Sequence, residues 1–261
     1  TGDNMNKSFK DLMQPGKKNI GTILQVPSEE LAEMLGHAGL ELIILDMEHC
    51  PMTPPKIVSM VRACESVGAL PFVRVPDVTD EDAIKKSLDA GACGILVPNI
   101  ENADQARKAV EYGKFAPVGK RGACPFVRAN WFGGEDCGAY YEKANRETTL
   151  MLLVEGPEGV KNLPEIVKVD GIDVIQIGAV DLSVALGIPG QTRHPKVIEA
   201  IRRAGELCAE NGKILNYFID NAEDAEAAKD WPGIGVFLLP IPEQVIHAHY
   251  AKLVKEVKPF C

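Results

Sequence analysis

The sequence predicts a single domain of the α/β class, a closed (β/α)8 barrel of the TIM type. Short runs rich in Ile, Val and Leu alternate with longer amphipathic stretches eight times along the chain. These apolar runs lack the alternation of a half-exposed sheet, as expected for parallel strands buried on both faces. The length of 261 residues is typical of one such barrel.

No linker, internal repeat or low-complexity tract divides the chain, so we expect the barrel to occupy residues 9–261. Residues 1–8 are expected to form an N-terminal tail, whose first four residues precede a native start at Met5. Ser28 and Asn102 are expected to cap two of the intervening helices. The candidate strands are Asn19–Leu24, Leu42–Asp46, Ala69–Arg74, Gly94–Val97, Thr149–Glu155, Val174–Gly178, Lys213–Tyr217 and Gly235–Leu239.

One connection is longer than a compact barrel usually has. Residues 116–139 are rich in Gly, Pro and aromatic residues, with Trp131 near their middle. Long loops of this kind usually serve a function or an interface, and a purely structural role is the alternative.

The composition excludes several classes of protein. The net charge of -9 gives no electrostatic footprint for nucleic acid or for an anionic membrane. The seven cysteines are irregularly spaced and include no C-x-x-C pair, which favours reduced thiols in a cytoplasmic protein. No apolar run is long enough to cross a bilayer.

Polar residues at strand ends are the first candidates for a site, because active sites of this fold lie at the C-terminal ends of the strands. The second strand ends in a dense cluster that contains Asp46, Glu48 and His49. His49 can transfer a proton near neutral pH. A solvated loop histidine fits the same short motif, since such motifs also arise by chance.

Arg74 ends the third strand directly after three apolar residues. A guanidinium in such surroundings needs an anionic partner. One interpretation is a substrate carboxylate or a developing enolate. The other is an ion pair within the chain, with Asp46 or Glu48, and the two interpretations are compatible.

Glu155 ends the fifth strand, and Asp181 follows the sixth. These strands are expected to be neighbours, about 4.8 Å apart. Two carboxylates there can converge on one hard divalent cation and leave positions open for substrate and water. Alternatively, Arg74 or Lys161 neutralises the pair.

The start of the helix after the sixth strand is a candidate substrate site. The backbone N–H groups of Gly178, Val180 and Asp181 suit a substrate carboxylate there. The chain contains no dinucleotide, P-loop or α/β-hydrolase motif. No lysine stands at a predicted strand end, which disfavours Schiff-base chemistry.

Several segments together carry a resemblance to a known family, and several motifs in one order are more specific than any one of them. They are Leu45–Pro51, Val73–Pro76, Leu88–Ala92, Ala116–Gly122, Arg128–Gly133, Val154–Glu155 and Asp181–Ser183. From about Phe9 to Val257 the chain resembles the 4-hydroxy-2-oxoheptanedioate aldolases of the HpcH/HpaI type, which include the 2-dehydro-3-deoxyglucarate aldolases.

The resemblance implies a class II aldolase that forms or cleaves 4-hydroxy-2-oxo acids through the enolate of pyruvate. It implies Mg²⁺ or Mn²⁺, with Co²⁺ as a further option, held by Glu155 and Asp181. It implies His49 as the base, directly or through a water, and Arg74 as the group that stabilises the enolate. The family also pairs the histidine with an aspartate that corresponds to Asp89. Asp89 precedes the fourth strand, at the opposite end of the barrel, so we expect it to reach His49 only across a subunit contact.

The implied partners are a 2-oxo acid and an aldehyde or other carbonyl acceptor. The resemblance also implies a homo-oligomer, a hexamer, with the loop around Trp131 and the C-terminal helix Glu243–Val257 as contacts. Two other functions stay open: a related metal-dependent enzyme with another acceptor, such as a citrate-forming condensing enzyme, and a barrel that binds a 2-oxo acid without turnover. Intact His49 and Arg74 argue against the last.

The chain departs from the family pattern on the acceptor side. Leu153 stands where the family usually carries glutamine, two residues before the metal-binding glutamate, and Ala179 and Val180 also differ. The ends of the seventh and eighth strands, Leu215–Phe218 and Phe237–Pro240, look unlike the usual sequences. We therefore expect a drier site floor and a less polar or differently activated acceptor, unless Leu153 only fills the barrel and a neighbouring residue supplies the missing contact.

Overall fold

The computed structural model describes residues 8–14 and 16–261, and in it eight parallel strands close into one barrel. Each strand pairs with the next one in the chain, and the eighth pairs with the first. The predicted TIM-type fold is confirmed, and every predicted strand boundary lies within one residue of the observed one. The strands are β1 Asn19–Leu24, β2 Leu42–Asp46, β3 Leu70–Arg74, β4 Gly94–Val97, β5 Thr149–Val154, β6 Val174–Ile177, β7 Ile214–Phe218 and β8 Ile234–Leu238.

Helices follow the strands on the outside of the barrel, and both predicted N-caps are confirmed. The Ser28 side chain accepts a hydrogen bond from the N–H of Leu31, and that of Asn102 from the N–H of Gln105. The described helices are α1 Phe9–Leu12, α2 Glu29–His37, α3 Pro54–Ser66, α4 Glu81–Asp89, α5 Ala103–Gly113, α6 Cys137–Glu147, α7 Pro157–Ile166, α8 Ala179–Ala185, α9 Pro195–Glu210, α10 Ala222–Ala228 and α11 Pro242–Val257, with 3-10 turns at Arg128–Asn130 and Lys258–Phe260.

The apolar side chains form two buried layers, because successive residues of a strand point to opposite faces. One layer lies between the strands and the surrounding helices. The other fills the barrel and includes Ile44, Phe72 and Met151. Helix α1 closes the N-terminal end, where the ring of Phe9 packs edge-on against Phe72 at a centroid distance of 5.5 Å. Of the predicted tail, only Ser8 is among the described residues, and it caps α1.

The long connection between α5 and α6 lies at the N-terminal end of the barrel. Arg128 binds the carboxylate of Glu65 and donates to the carbonyl of Ala90 at 2.8 Å. Arg121 donates to Asp89 at 2.6 Å. These contacts fix the base of the loop, while three aromatic side chains of the loop stay exposed. They are Phe126, Trp131 and Phe132.

All seven cysteines are free thiols. Within the described ranges, no helix has the length and apolar character that a membrane span requires.

Candidate active site

The C-terminal ends of the strands surround a cavity of about 580 Å³. It is lined by side chains from several strands and from the loops that follow them. The structure therefore brings together most of the predicted site residues, as the strand-end rule requires. The predicted site residues in its lining are Arg74, Glu155, Gly178, Val180 and Asp181.

Arg74 is fixed by a fully buried carboxylate on the neighbouring strand. Its Nε donates to Asp46 Oδ1 at 2.9 Å and its Nη2 to Asp46 Oδ2 at 2.6 Å. Gln25 also donates to Oδ2 at 2.9 Å. Burial alone would raise the pKa of Asp46, but the hydrogen bonds and charge of Arg74 outweigh it and the pKa is lowered. The predicted ion pair is confirmed, and it orients the guanidinium at the cavity.

His49 lies on the loop after β2, next to Glu48. Its Nε2 is 3.5 Å from Glu48 Oε2, and 59% of the His49 side chain is exposed. Glu48 Oε2 also lies 3.2 Å from Nη1 of Arg74. Burial raises the pKa of Glu48, and the charge of Arg74 opposes that rise. Glu48 thus links the exposed imidazole to the buried guanidinium.

Glu155 lies at the end of β5, where its carboxylate packs against the start of α8. Its Oε1 accepts a hydrogen bond from the N–H of Asn99 at 2.8 Å, and Asn99 has a left-handed φ of 56°. A Cβ placed on Gly178 would lie 2.8 Å from Glu155 Oε2, so only glycine leaves room for this carboxylate. Burial raises the pKa of Glu155 to about 7, and the charges of Asp181 and Glu48 add to the rise.

This donor set fits a divalent cation. Burial is the main cause of the raised pKa of Glu155, and the negative charges of Asp181 and Glu48 raise it further. Oxygen donors alone suit a hard cation such as Mg²⁺ or Mn²⁺. Among the described residues no three His, Cys, Asp or Glu side chains are arranged around one metal position. Glu155 and Asp181 would therefore leave the remaining positions to water and substrate. Lys161, the alternative partner, binds Glu158 at 3.2 Å instead.

The predicted role of Gly178 as a hydrogen-bond donor needs correction. Its N–H donates to the carbonyl of Val154 at 2.9 Å, because the sheet pairing continues one residue beyond β6. Gly178 contributes space rather than a hydrogen bond. Val180 and Asp181 lie in the first turn of α8, where N–H groups have no carbonyl partner within the helix.

Comparison with known proteins settles the family. Residues 20–234 match the HpcH/HpaI aldolase/citrate lyase family. The chain belongs to this family. A 4-hydroxy-2-oxo-heptane-1,7-dioate aldolase of Escherichia coli is 33% identical over 263 residues, which cover 98% of this chain and 99% of the relative. The resemblance inferred from the motifs, and with it a carbon–carbon lyase, is confirmed at the level of the family.

Solved structures agree over nearly the whole length. An HpcH/HpaI aldolase from Desulfitobacterium hafniense DCB-2 superposes with a TM-score of 0.89 at 28% identity and covers 96% of each chain. The citrate synthase SbnG superposes with a TM-score of 0.87 at 28% identity, covering 97% of this chain and 98% of that one. Neighbours of both kinds therefore share this barrel.

Asp89 does not reach His49 within the described chain. It ends helix α4 at the N-terminal end of the barrel, where Arg121 binds it at 2.6 Å. His49 follows β2 at the opposite end. The expected separation is confirmed, and a pairing of the two would require a second subunit.

Several polar residues of the site are not among those predicted from the sequence. Gln25 and Asn99 orient carboxylates, as described above, and Gln176 lines the floor of the cavity. Arg193 also lines the cavity and binds Asp220 at 2.9 Å. Gln176 could have been predicted from the alternation of side chains along a strand. It lies two residues before Gly178 and therefore points to the same inward face.

Proposed function

We propose that this protein is a class II aldolase that cleaves or forms 4-hydroxy-2-oxo acids through the enolate of a pyruvate-type donor. The observation that carries the proposal is the shared cavity of Arg74, Glu155 and Asp181, with His49 beside it. Glu155 and Asp181 would hold Mg²⁺ or Mn²⁺, with Co²⁺ as a further option. Such an ion acts as a Lewis acid that polarises the 2-oxo group.

The chain's own residues account for the remaining steps. The N–H groups of Val180 and Asp181 bind the carboxylate of the donor. In cleavage, His49 accepts the proton of the 4-hydroxyl group, and the bond between C3 and C4 breaks to release an aldehyde. The electron pair of that bond passes into the enolate at C2 and C3, whose negative oxygen the guanidinium of Arg74 stabilises. Protonation at C3 then yields the 2-oxo acid, and synthesis runs in reverse.

Exchange of the pyruvate methyl protons in deuterated water tests the donor half without any acceptor. We expect exchange to require Mg²⁺ or Mn²⁺ and to stop with a chelator. His49→Ala and Arg74→Ala should each slow exchange by about 100-fold or more, the usual effect of a placed proton-transfer or oxyanion group. Lys161→Ala, which removes an exposed charge pair, is the matched control. Full exchange by chelator-treated Glu155→Gln would refute the metal assignment.

A citrate-forming condensing enzyme is the second candidate, because the citrate synthase SbnG superposes over 97% of this chain. Both candidates need the same donor enolate and differ in the electrophile that it attacks. Incubation with pyruvate or oxaloacetate and a panel of aldehydes and acyl thioesters separates them by product. Exchange without any product would leave only the acceptor unknown, whereas 2-oxo acid binding without exchange would indicate a non-catalytic barrel.

We also propose that the protein is a homo-oligomer, a hexamer, in which a second copy of the chain covers helix α11. Apolar residues of α11 recur every three or four positions and lie exposed on one face, as a helix that packs on a partner requires. They are Ile246, Tyr250, Leu253 and Val257. The exposed aromatic loop around Trp131 is the second proposed contact. Assembly would also provide the route by which Asp89 meets a His49 of another subunit.

Light scattering of Tyr250→Asp tests this contact. The charge lies on the apolar face, so we expect a smaller assembly at micromolar concentration. Lys252→Asp introduces the same group on the opposite face of α11 and should leave the assembly intact. A monomeric, fully active parent protein would contradict the proposal.

A further inference from the structure

Gln176 is a buried amide without a full set of partners. It lies on β6, 1% exposed, and within the described part of the chain its side-chain amide makes no hydrogen bond, since Oε1 is buried without a donor and Nε2 has no acceptor. Buried side-chain amides are almost always paired, and an unpaired one destabilises the fold. An unpaired amide that lines a cavity is therefore available to a molecule bound there.

The register of the barrel places Gln176 directly opposite Leu153 on β5. Both side chains line the floor of the cavity together with Arg74 and Glu155. Leu153 occupies the position where the resembled family carries glutamine, and it offers no hydrogen bond. The amide that is missing on β5 is therefore present on the adjacent strand β6, at the residue paired with Leu153.

A second buried amide shows that burial alone does not define such a site. Asn216 on β7 is the next residue in register after Gln176, and its Oδ1 also lacks a partner in the described residues. However, Asn216 faces the sulfur of Met151 at 3.6 Å and is absent from the lining of the cavity. Of these two amides, only Gln176 can contact a molecule bound there.

We propose that Gln176 binds the donor: its Nε2 donates a hydrogen bond to an oxygen of the 2-oxo acid, a contact that Leu153 cannot make. This inference rests on the proposed function of the site. Gln176 precedes Gly178 by two residues on the same inward face, and it lines the same cavity as Glu155. The amide thus contacts the donor from the β6 side of the floor, whereas Leu153 makes the β5 side apolar.

Gln176→Met tests the role, because methionine has nearly the same length and cannot make the hydrogen bond. Calorimetry with Mg²⁺ measures binding of oxalate, a stable mimic of the enolate of pyruvate, and of pyruvate itself. A hydrogen bond to a charged oxygen predicts binding about 10- to 100-fold weaker. The free energy of unfolding of the metal-free variant should not fall, because no internal hydrogen bond is lost. A purely structural role predicts the opposite pattern.

Two further variants complete the test. Asn216→Leu removes the neighbouring amide and should bind oxalate like the parent. Leu153→Gln combined with Gln176→Leu exchanges the two side chains across the ladder and should recover most of the lost affinity. This pair also covers the case in which Gln176→Met folds poorly.

The outcomes distinguish the inference from the function on which it depends. If the parent exchanges pyruvate protons and binds oxalate while Gln176→Met binds it equally well, the role of Gln176 is refuted and the aldolase proposal stands. A parent without exchange and without Mg²⁺-dependent oxalate binding overturns both.

Discussion

The buried pair of Asp46 and Arg74 gives a direct test of how the site is held. Asp46→Asn keeps the shape of the side chain, removes its charge and converts one oxygen into an NH2 group. Arg74 donates to both oxygens of Asp46, Gln25 donates to Oδ2 and the backbone N–H of Glu48 donates to Oδ1. Whichever way the asparagine amide turns, its NH2 group faces donors rather than acceptors.

The size of the effect follows from burial. Removing one partner of a buried ion pair costs about 3–5 kcal/mol. Asparagine retains one acceptor oxygen, so we expect the free energy of unfolding in urea to fall by about 3 kcal/mol, the low end of that range. Pyruvate proton exchange should slow by about 100-fold, since the guanidinium of Arg74 loses its orientation toward the developing negative charge.

The dependence on pH provides a second readout. Arg74 lowers the pKa of Asp46 below its unfolded value, so the carboxylate contributes stability above the unfolded pKa and loses it as the pH falls. The difference between parent and Asp46→Asn should be largest near neutrality and shrink below about pH 4. Asp82→Asn, which removes an exposed partner of Lys85 and Lys86, is the control. If Asp46→Asn is no less stable than this control, Asp46 does not hold Arg74.

Three further predictions test the scaffold. Phe9→Ala opens the N-terminal end of the barrel and should lower the free energy of unfolding in urea by about 3–5 kcal/mol, the usual cost of truncating a buried phenylalanine. Gly94→Ala would place a methyl group 2.1 Å from the carbonyl oxygen of Thr149 on the paired strand, so we expect a lower midpoint of thermal unfolding. Gly122→Ala, whose added methyl group meets only ordinary contacts, should leave that midpoint nearly unchanged. Burial raises the pKa of Cys208 to about 12, so its thiol stays protonated in the fold while the unfolded thiol ionises, and stability falls as the pH rises. Above about pH 8.5 this thiol should lower the free energy of unfolding of the parent by about 1.4 kcal/mol per pH unit, and Cys208→Ala should abolish that contribution. Urea unfolding at several pH values measures the difference.

The fold and the outline of the site could be predicted because both follow from local patterns. Runs of β-branched and aliphatic residues define strands that are buried on both faces, and barrel closure leaves few alternatives for eight of them. The rule that strand ends form the site then places Arg74, Glu155 and Asp181 together. It also separates Asp89 from His49 correctly, because a residue that precedes a strand lies at the opposite end.

The remaining features depend on relations between strands that one sequence does not display. The ladder that sets Gln176 opposite Leu153 is a matter of register. The pairing of β5 with β6 also uses the N–H of Gly178, which donates to the carbonyl of Val154. The sequence pattern alone predicts that this N–H binds the substrate. The left-handed backbone of Asn99 that directs its N–H to Glu155 is equally invisible in a residue string.

The balance of charge explains why this arrangement suits a metal-dependent reaction. Arg74 donates through two of its nitrogens to Asp46, whose negative charge partly offsets that of the guanidinium at the other carboxylates. Glu48 and Glu155 accordingly keep raised pKa values, caused by burial and by neighbouring negative charge that the contact with Arg74 does not cancel. A divalent cation at Glu155 would supply the missing positive charge and favour the ionised carboxylate. Because metal ligands must be deprotonated, cation binding and release of a proton from Glu155 should occur together. The buried ion pair and the proposed cation site would thus be complementary: the first fixes the guanidinium, and the second would complete the electrostatics that the proposed enolate needs.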